Sequence, residues 1–280
     1  MKNNMRMIGF DLDGTLLTDK KELPAYTIEI LRQAAKQGIE ILPVTGRPLC
    51  GLPKVVIELV GLRYAITANG ARILDLKEGR VLKEQLVDTK AAEQILEILG
   101  KYDTLREIYY DGIGYAKRAD LERIHHFFEE DPMAEYVRTT RQPVADIMEK
   151  FYKENRAVDK VQGVFANLEE RREALNEIRQ LKGVTVTEAL KNNIEVNAFG
   201  VNKGDALLWL ADYLGIAAQE TMAFGDGDND TALLKKAGIG VAMKNGREEV
   251  KNVADVVTEN SNNEEGVAQF IEEYVLKKGE

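Results

Sequence analysis

Asp11-Leu12-Asp13-Gly14-Thr15 follows directly on the apolar run Met5, Met7, Ile8 and Phe10, which reads as a buried strand. Two carboxylates one residue apart, just past a strand end, lie where open α/β sheets collect ligands. Gly14 allows the chain to turn back sharply, and Thr15 offers an N–H and a hydroxyl to an anion. Such a turn suits a hard cation bound through oxygen, or one acid as nucleophile beside a second that carries protons. It equally suits an Asx-type turn that only closes a strand. On this stretch alone both readings stay open.

Outward from it, the pattern is strand, helix, strand, helix, strand. Pro24 opens a helix with Ile28, Leu31 and Ala35 at helical spacing, and Gly38 ends it. Ile39 to Val44 reads as a second buried strand leading into Thr45-Gly46-Arg47, although Pro43 sits awkwardly in a strand that must donate ladder bonds. A helix over 54–59 and a strand over 64–67 then reach Asn69-Gly70-Ala71. This order predicts right-handed crossovers and a parallel sheet. From residue 72 the texture changes to hairpins mixed with helices, including Asp111-Gly112 between two strand-like runs. From Ile194 the simple alternation returns, with a helix from Gly204, a strand over 221–224 and the acidic run Gly225-Asp226-Gly227-Asp228-Asn229-Asp230.

Composition narrows the field. The 280 residues carry a net charge of −9, which argues against a general nucleic-acid or membrane-surface binder. Phosphorylated ligands stay possible, because a bound metal ion reverses the local sign. The single cysteine, Cys50, excludes an internal disulfide and fits a reducing compartment; it reads as a small packing residue. No apolar stretch nears the ~20 residues of a membrane span, and no signal-peptide core is visible, so a cytoplasmic location is expected.

Asp11/Asp13, Thr45, Lys203 and Asp226/Asp230 each fall just after a predicted strand or just inside a helix, so a parallel sheet would bring them to one edge. These residue types suit phosphoryl transfer, which needs a cation clamp, hydroxyl and N–H donors and a lysine. An EF-hand is excluded, since Thr231 and Ala237 stand where glycine and glutamate are required. Walker-type and dinucleotide-binding glycine motifs are missing.

Asp11-x-Asp13-Gly14-Thr15, Thr45-Gly46-Arg47, Lys203-Gly204 and Gly225-Asp226-x-x-Asn229-Asp230, in this order, resemble the haloacid dehalogenase superfamily, and the large insert resembles the Cof-like hydrolases. The likeness extends to Asn69-Gly70-Ala71 and Val241-Ala242-Met243. It implies a doubly wound α/β core over 1–83 and 193–280, with an inserted α+β cap over 84–192 that closes on the substrate. By the same resemblance Asp11 is nucleophile and metal ligand. Asp13 is general acid and base, with its carbonyl on the metal. Thr45, Gly46, Lys203 and Asn229 would hold the phosphate together with Gly14, and Arg47 would reach cap or substrate. Asp226 would be the second metal carboxylate, with Asp230 on the metal directly or through water. The implied cofactor is Mg2+ and the implied substrate a small phosphorylated metabolite, with sugar phosphates ahead of pyridoxal phosphate or flavin mononucleotide, in a monomer or homodimer. A phosphomutase on the same core and a non-catalytic phosphosugar binder are the alternatives.

Overall fold

A computed structural model describes residues 5–59, 61–129 and 131–277. The chain lays down β1 (Met7–Phe10), β2 (Glu40–Pro43), β3 (Tyr64–Thr67), β4 (Arg72–Asp75) and β5 (Arg80–Glu84). It continues with β6 (Thr104–Tyr110), β7 (Ile113–Lys117), β8 (Gln142–Val144), β9 (Lys160–Phe165), β10 (Val184–Thr187) and β11 (Asn193–Ala198). β12 (Thr221–Gly225), β13 (Ile239–Ala242) and β14 (Val256–Val257) complete it. Two compact units result: residues 1–46, 52–83 and 202–280 in the first, and 47–51 and 84–201 in the second.

The first unit is built on a parallel sheet ordered β14-β13-β12-β1-β2. Every residue of β1 is buried, as expected for a strand covered on both faces. Met7, Leu42, Val44, Ile66, Leu207, Leu210, Ala223 and Leu233 form its packed core. Pro43 is accommodated because it is the last residue of β2, the outer strand of the five. A separate three-stranded sheet, β3-β4-β5, lies in the same unit, joined to the end of β2 by a single bridge, Val44 to Ile66.

The second unit holds a six-stranded sheet ordered β10-β11-β9-β6-β7-β8. Its second strand corrects the expected return to the core at 193. β11 pairs antiparallel with both β9 and β10, so residues 193–201 stay with this unit and the first resumes at Asn202. The alternation beginning at Ile194 comes from a strand buried on both faces, which looks the same in sequence whichever sheet it joins. Residues 131–140 form a helix, and 142–144 form β8. No helix among the described residues is long and apolar enough to cross a membrane.

Candidate active site

Three parallel strands and one helix start deliver the candidate residues. β1 ends at Phe10, so Asp11 follows, and its N–H donates to the Phe224 carbonyl of β12 at 3.0 Å. Thr45 lies two residues past the end of β2, where its N–H donates to Ile66 O at 2.9 Å, and β12 ends at Gly225, so Asp226 follows. Lys203 is the first residue of helix Lys203–Tyr213, capped by Asn202, whose side chain accepts from the Asp205 N–H. Gly204 allows that helix to seat: a Cβ there would lie 2.2 Å from the Ala232 carbonyl oxygen of helix Thr231–Lys236.

The Lys203 side chain is fully buried, and its Nζ lies 2.9 Å from Asp11 Oδ1 and 2.7 Å from Asp230 Oδ1. The other Asp230 oxygen accepts the N–H groups of Asp226 and Gly227, both at 3.0 Å. Asp226 Oδ1 accepts the Thr15 hydroxyl at 2.7 Å. Gly14 has φ +77° and packs on Asp226 so closely that a Cβ would fall 2.4 Å from its Oδ2. Carboxylate oxygens of Asp11, Asp226 and Asp230 lie within 4.8 Å of one another.

Three acids face one ammonium here, and the titration behaviour follows from that count. Burial pushes the Asp11 carboxyl up to about 7, with Lys203 pulling against it and Asp230 and Asp13 adding to it. Asp226 is raised well above the carboxylate range, first by burial and then by the charges of Asp230 and Asp11. Burial disfavours the Lys203 ammonium, but Asp11 and Asp230 outweigh it and hold the group above an ordinary lysine. A buried, oxygen-only, net negative cluster fits a hard divalent cation, which removes the repulsion between Asp11 and Asp226. Asp230 is a poorer ligand than its neighbours, because both of its oxygens already accept hydrogen bonds.

The remaining expected residues divide. Asp13 is half-buried and its Oδ1 pairs with Lys21 Nζ at 2.8 Å, a partner that spacing did not suggest. Thr45 is buried and Gly46 half-buried just past the end of β2. Asn229 is half-buried, and its Nδ2 donates to Asn69 Oδ1 at 3.2 Å. Arg47 takes the cap side of its two expected alternatives. It belongs to the second unit, where its guanidinium donates to Gly51 O at 3.0 Å and lies 4.0 Å from the centre of the Tyr136 ring. Cys50 is exposed rather than packed, and its thiol lies 3.4 Å from Thr140 O.

The sequence reading gave no role to Asn245, whose Nδ2 donates to Gly14 O at 2.7 Å while its Oδ1 accepts from the Asn262 N–H at 3.0 Å. Its proximity to Val241-Ala242-Met243 is the one signal that could have found it.

The haloacid dehalogenase-like hydrolase family model matches residues 8–271. The chain belongs to the haloacid dehalogenase-like hydrolases. Among curated members, "Phosphatase YwpJ" of Bacillus subtilis is 32% identical over 285 residues, covering 95% of this chain and 99% of the relative. The "5-amino-6-(5-phospho-D-ribitylamino)uracil phosphatase YcsE" of the same organism is 29% identical, covering 98% and 97%. A solved haloacid dehalogenase-like hydrolase structure from B. subtilis superposes with a TM-score of 0.84 at 30% identity, covering 97% of this chain and all of that one. As in other haloacid dehalogenase-like hydrolases, an α/β core is joined here by a further sheet-bearing unit.

Proposed function

We propose that the protein is a Mg2+-dependent phosphatase of small phosphate monoesters, working through an aspartyl-phosphate on Asp11. One observation carries this reading: Lys203, fully buried, bridges Asp11 and Asp230 beside Asp226. With all three carboxylates ionised, that array is two positive charges short, the number a divalent cation would supply. Mg2+, held by Asp11, Asp226 and the Asp13 carbonyl, would supply charge to the phosphoryl oxygens.

A carboxylate oxygen of Asp11 bonds to phosphorus as the ester oxygen leaves, and the leaving oxygen takes a proton from the Asp13 carboxyl. Water then bonds to phosphorus and gives its proton to Asp13, while the Asp11–phosphorus bond breaks to release inorganic phosphate. Asp13 must leave Lys21 to reach the leaving oxygen, since the pair stands at 2.8 Å. The Lys203 ammonium, 2.9 Å from Asp11 Oδ1, keeps the nucleophile ionised and spreads the phosphoryl charge. Thr45, Gly46 and Asn229 hold non-bridging oxygens. Asp230 acts by anchoring Lys203 and the Asp226 backbone. The preferred leaving groups are polyhydroxylated, sugars first, in keeping with the family resemblance and with the ribityl phosphate in the name of YcsE.

The test is phosphate release from a panel of phosphorylated sugars, phosphorylated ribityl compounds, pyridoxal phosphate and flavin mononucleotide, with and without Mg2+, in wild type and Asp11→Asn. Metal-dependent release that vanishes in Asp11→Asn is the expected result. Tight binding of one compound without release would replace the phosphatase with a binder, and release persisting in Asp11→Asn would remove Asp11 as nucleophile.

A further inference from the structure

Between β3 and β4 the backbone does something costly. Ala68, Asn69 and Gly70 take φ values of +49°, +61° and +103°, three left-handed residues in succession. Only the last is glycine, and the Cβ of an alanine makes the left-handed region costly. Ala68 and Asn69 are both buried, so this is not a loose surface turn.

The turn touches three parts of the candidate site. The Asn69 N–H donates to the Thr45 carbonyl at 3.0 Å. Asn69 Oδ1 accepts from Asn229 Nδ2 at 3.2 Å. Gly70 presses on the cap of the Lys203 helix, where a Cβ would lie 2.6 Å from the Asn202 carbonyl oxygen. Thr45, Asn229 and Lys203 come from chain segments up to 184 residues apart, counting 229 − 45. One strained turn fixes all three to a common frame.

We propose that Asn69 is a positioning residue for phosphate binding: its side chain orients the Asn229 amide while its backbone holds the Thr45 loop, and the left-handed turn serves to put it there. The inference rests on the phosphatase reading only in taking Thr45, Lys203 and Asn229 as the phosphate-holding set. An Asn69 side chain that merely tolerates left-handed φ is the competing account, and glycine separates the two. Asn69→Gly relaxes the backbone and keeps the N–H to Thr45, yet removes the amide that holds Asn229.

Four proteins decide it: wild type, Asn69→Gly, Asn229→Ala and the double variant. Each is measured for kcat and KM on p-nitrophenyl phosphate with Mg2+, for inorganic phosphate affinity by calorimetry, and for thermal unfolding. Asn69→Gly should melt within a few degrees of wild type yet lose about ten-fold in kcat/KM and in phosphate affinity, the worth of one such hydrogen bond. In the Asn229→Ala background the same change should cost less than about two-fold, because the group it orients is gone. Wild-type behaviour of Asn69→Gly, or losses that simply multiply in the double variant, would overturn the inference. A wild type that binds phosphate without turnover would sink the phosphatase and leave this inference standing if Asn69→Gly still weakens phosphate. Loss of both turnover and phosphate binding in wild type would overturn both.

Discussion

Each unit buries a set of charged side chains, and the two sets are wired differently. In the second unit Lys160 pairs with Glu195 at 2.7 Å and Arg141 with Glu107 at 3.2 Å, a base facing each of these two acids, all nearly inaccessible to solvent, while the equally buried Asp159 accepts the Gly112 N–H at 2.7 Å. Tyr109 donates to Glu107, and Gln162 accepts from Lys160 at 3.0 Å. Those partners lie side by side across the sheet, since Glu107 faces Gln162 and Tyr109 faces Lys160 in the β6–β9 register. In the first unit Asp11 and Asp230 share the ammonium of Lys203, and Asp226 lies beside them with no lysine of its own in contact among the described residues. Pairing base with acid in this way serves packing in the second unit, even though Glu107 Oε1 and Arg141 Nε have no hydrogen-bond partner among the described residues. An unmatched network is stable only with something further in it, and that is the mark of a site.

The contrast is sharpest at the two lysines. Lys203→Ala should lower kcat on p-nitrophenyl phosphate by about three orders of magnitude, because it removes a buried cation aimed at developing charge. Steady-state kinetics would show it, and a loss under ten-fold would make Lys203 a structural residue like Lys160. Lys160→Met, by contrast, should appear as instability. It strands Glu195 in the interior and should cost about 3 kcal/mol in urea unfolding, with most of that recovered by the paired change Lys160→Met/Glu195→Leu. If the single variant unfolds like wild type, the second network is not held by its ion pairs.

The charge deficit can be probed at Asp226. Its carboxyl is raised by burial and by Asp230 and Asp11, so in EDTA Asp226→Asn should melt above wild type by roughly 2–4 °C, the shift expected for about 1 kcal/mol in a chain of this size. With Mg2+ the order should reverse, since the variant has lost a ligand. Unchanged order in the two conditions would mean that the cluster does not bind the metal.

A pH-dependent effect belongs to Glu40, a partly buried acid in neither network, whose Oε1 has no hydrogen-bond partner. Burial pushes its pKa up to about 7, with Arg63 opposing and Asp75 adding. A carboxyl raised in the folded state contributes stability that is complete below its unfolded pKa near 4.5 and is lost as pH rises through 7. Glu40→Gln should therefore melt with wild type near pH 4.5 and above it at pH 8. Parallel melting profiles at all pH values would show that Glu40 stays solvated.

How far the sequence could be read follows the same division. Asp11, Lys203, Asp226 and Asp230 were legible because strand ends and a helix start announce themselves locally, and a parallel sheet carries them to one edge. The Asp13–Lys21 pair was not, since it depends on how a turn folds back; Lys21 itself has φ +64°. Arg47 was left between cap and substrate, because adjacency to Thr45 in sequence says nothing about which unit its side chain joins. The 193 boundary failed because a doubly buried strand carries no label of the sheet it enters. Asn69 was visible as part of a motif, but its use required three consecutive left-handed residues that composition does not encode.

Gly204 has a consequence for anyone diversifying this scaffold. Helix Lys203–Tyr213 rests on the Ala232 carbonyl through a position with no side chain. Even a methyl group at 204 would lever the helix start away and carry the Lys203 ammonium with it. A saturation library would thus score residue 204 as intolerant as the acids themselves, though it offers no chemical group to substrate or metal. Leaving-group preference should be retuned elsewhere, with the 203–204 step kept as written.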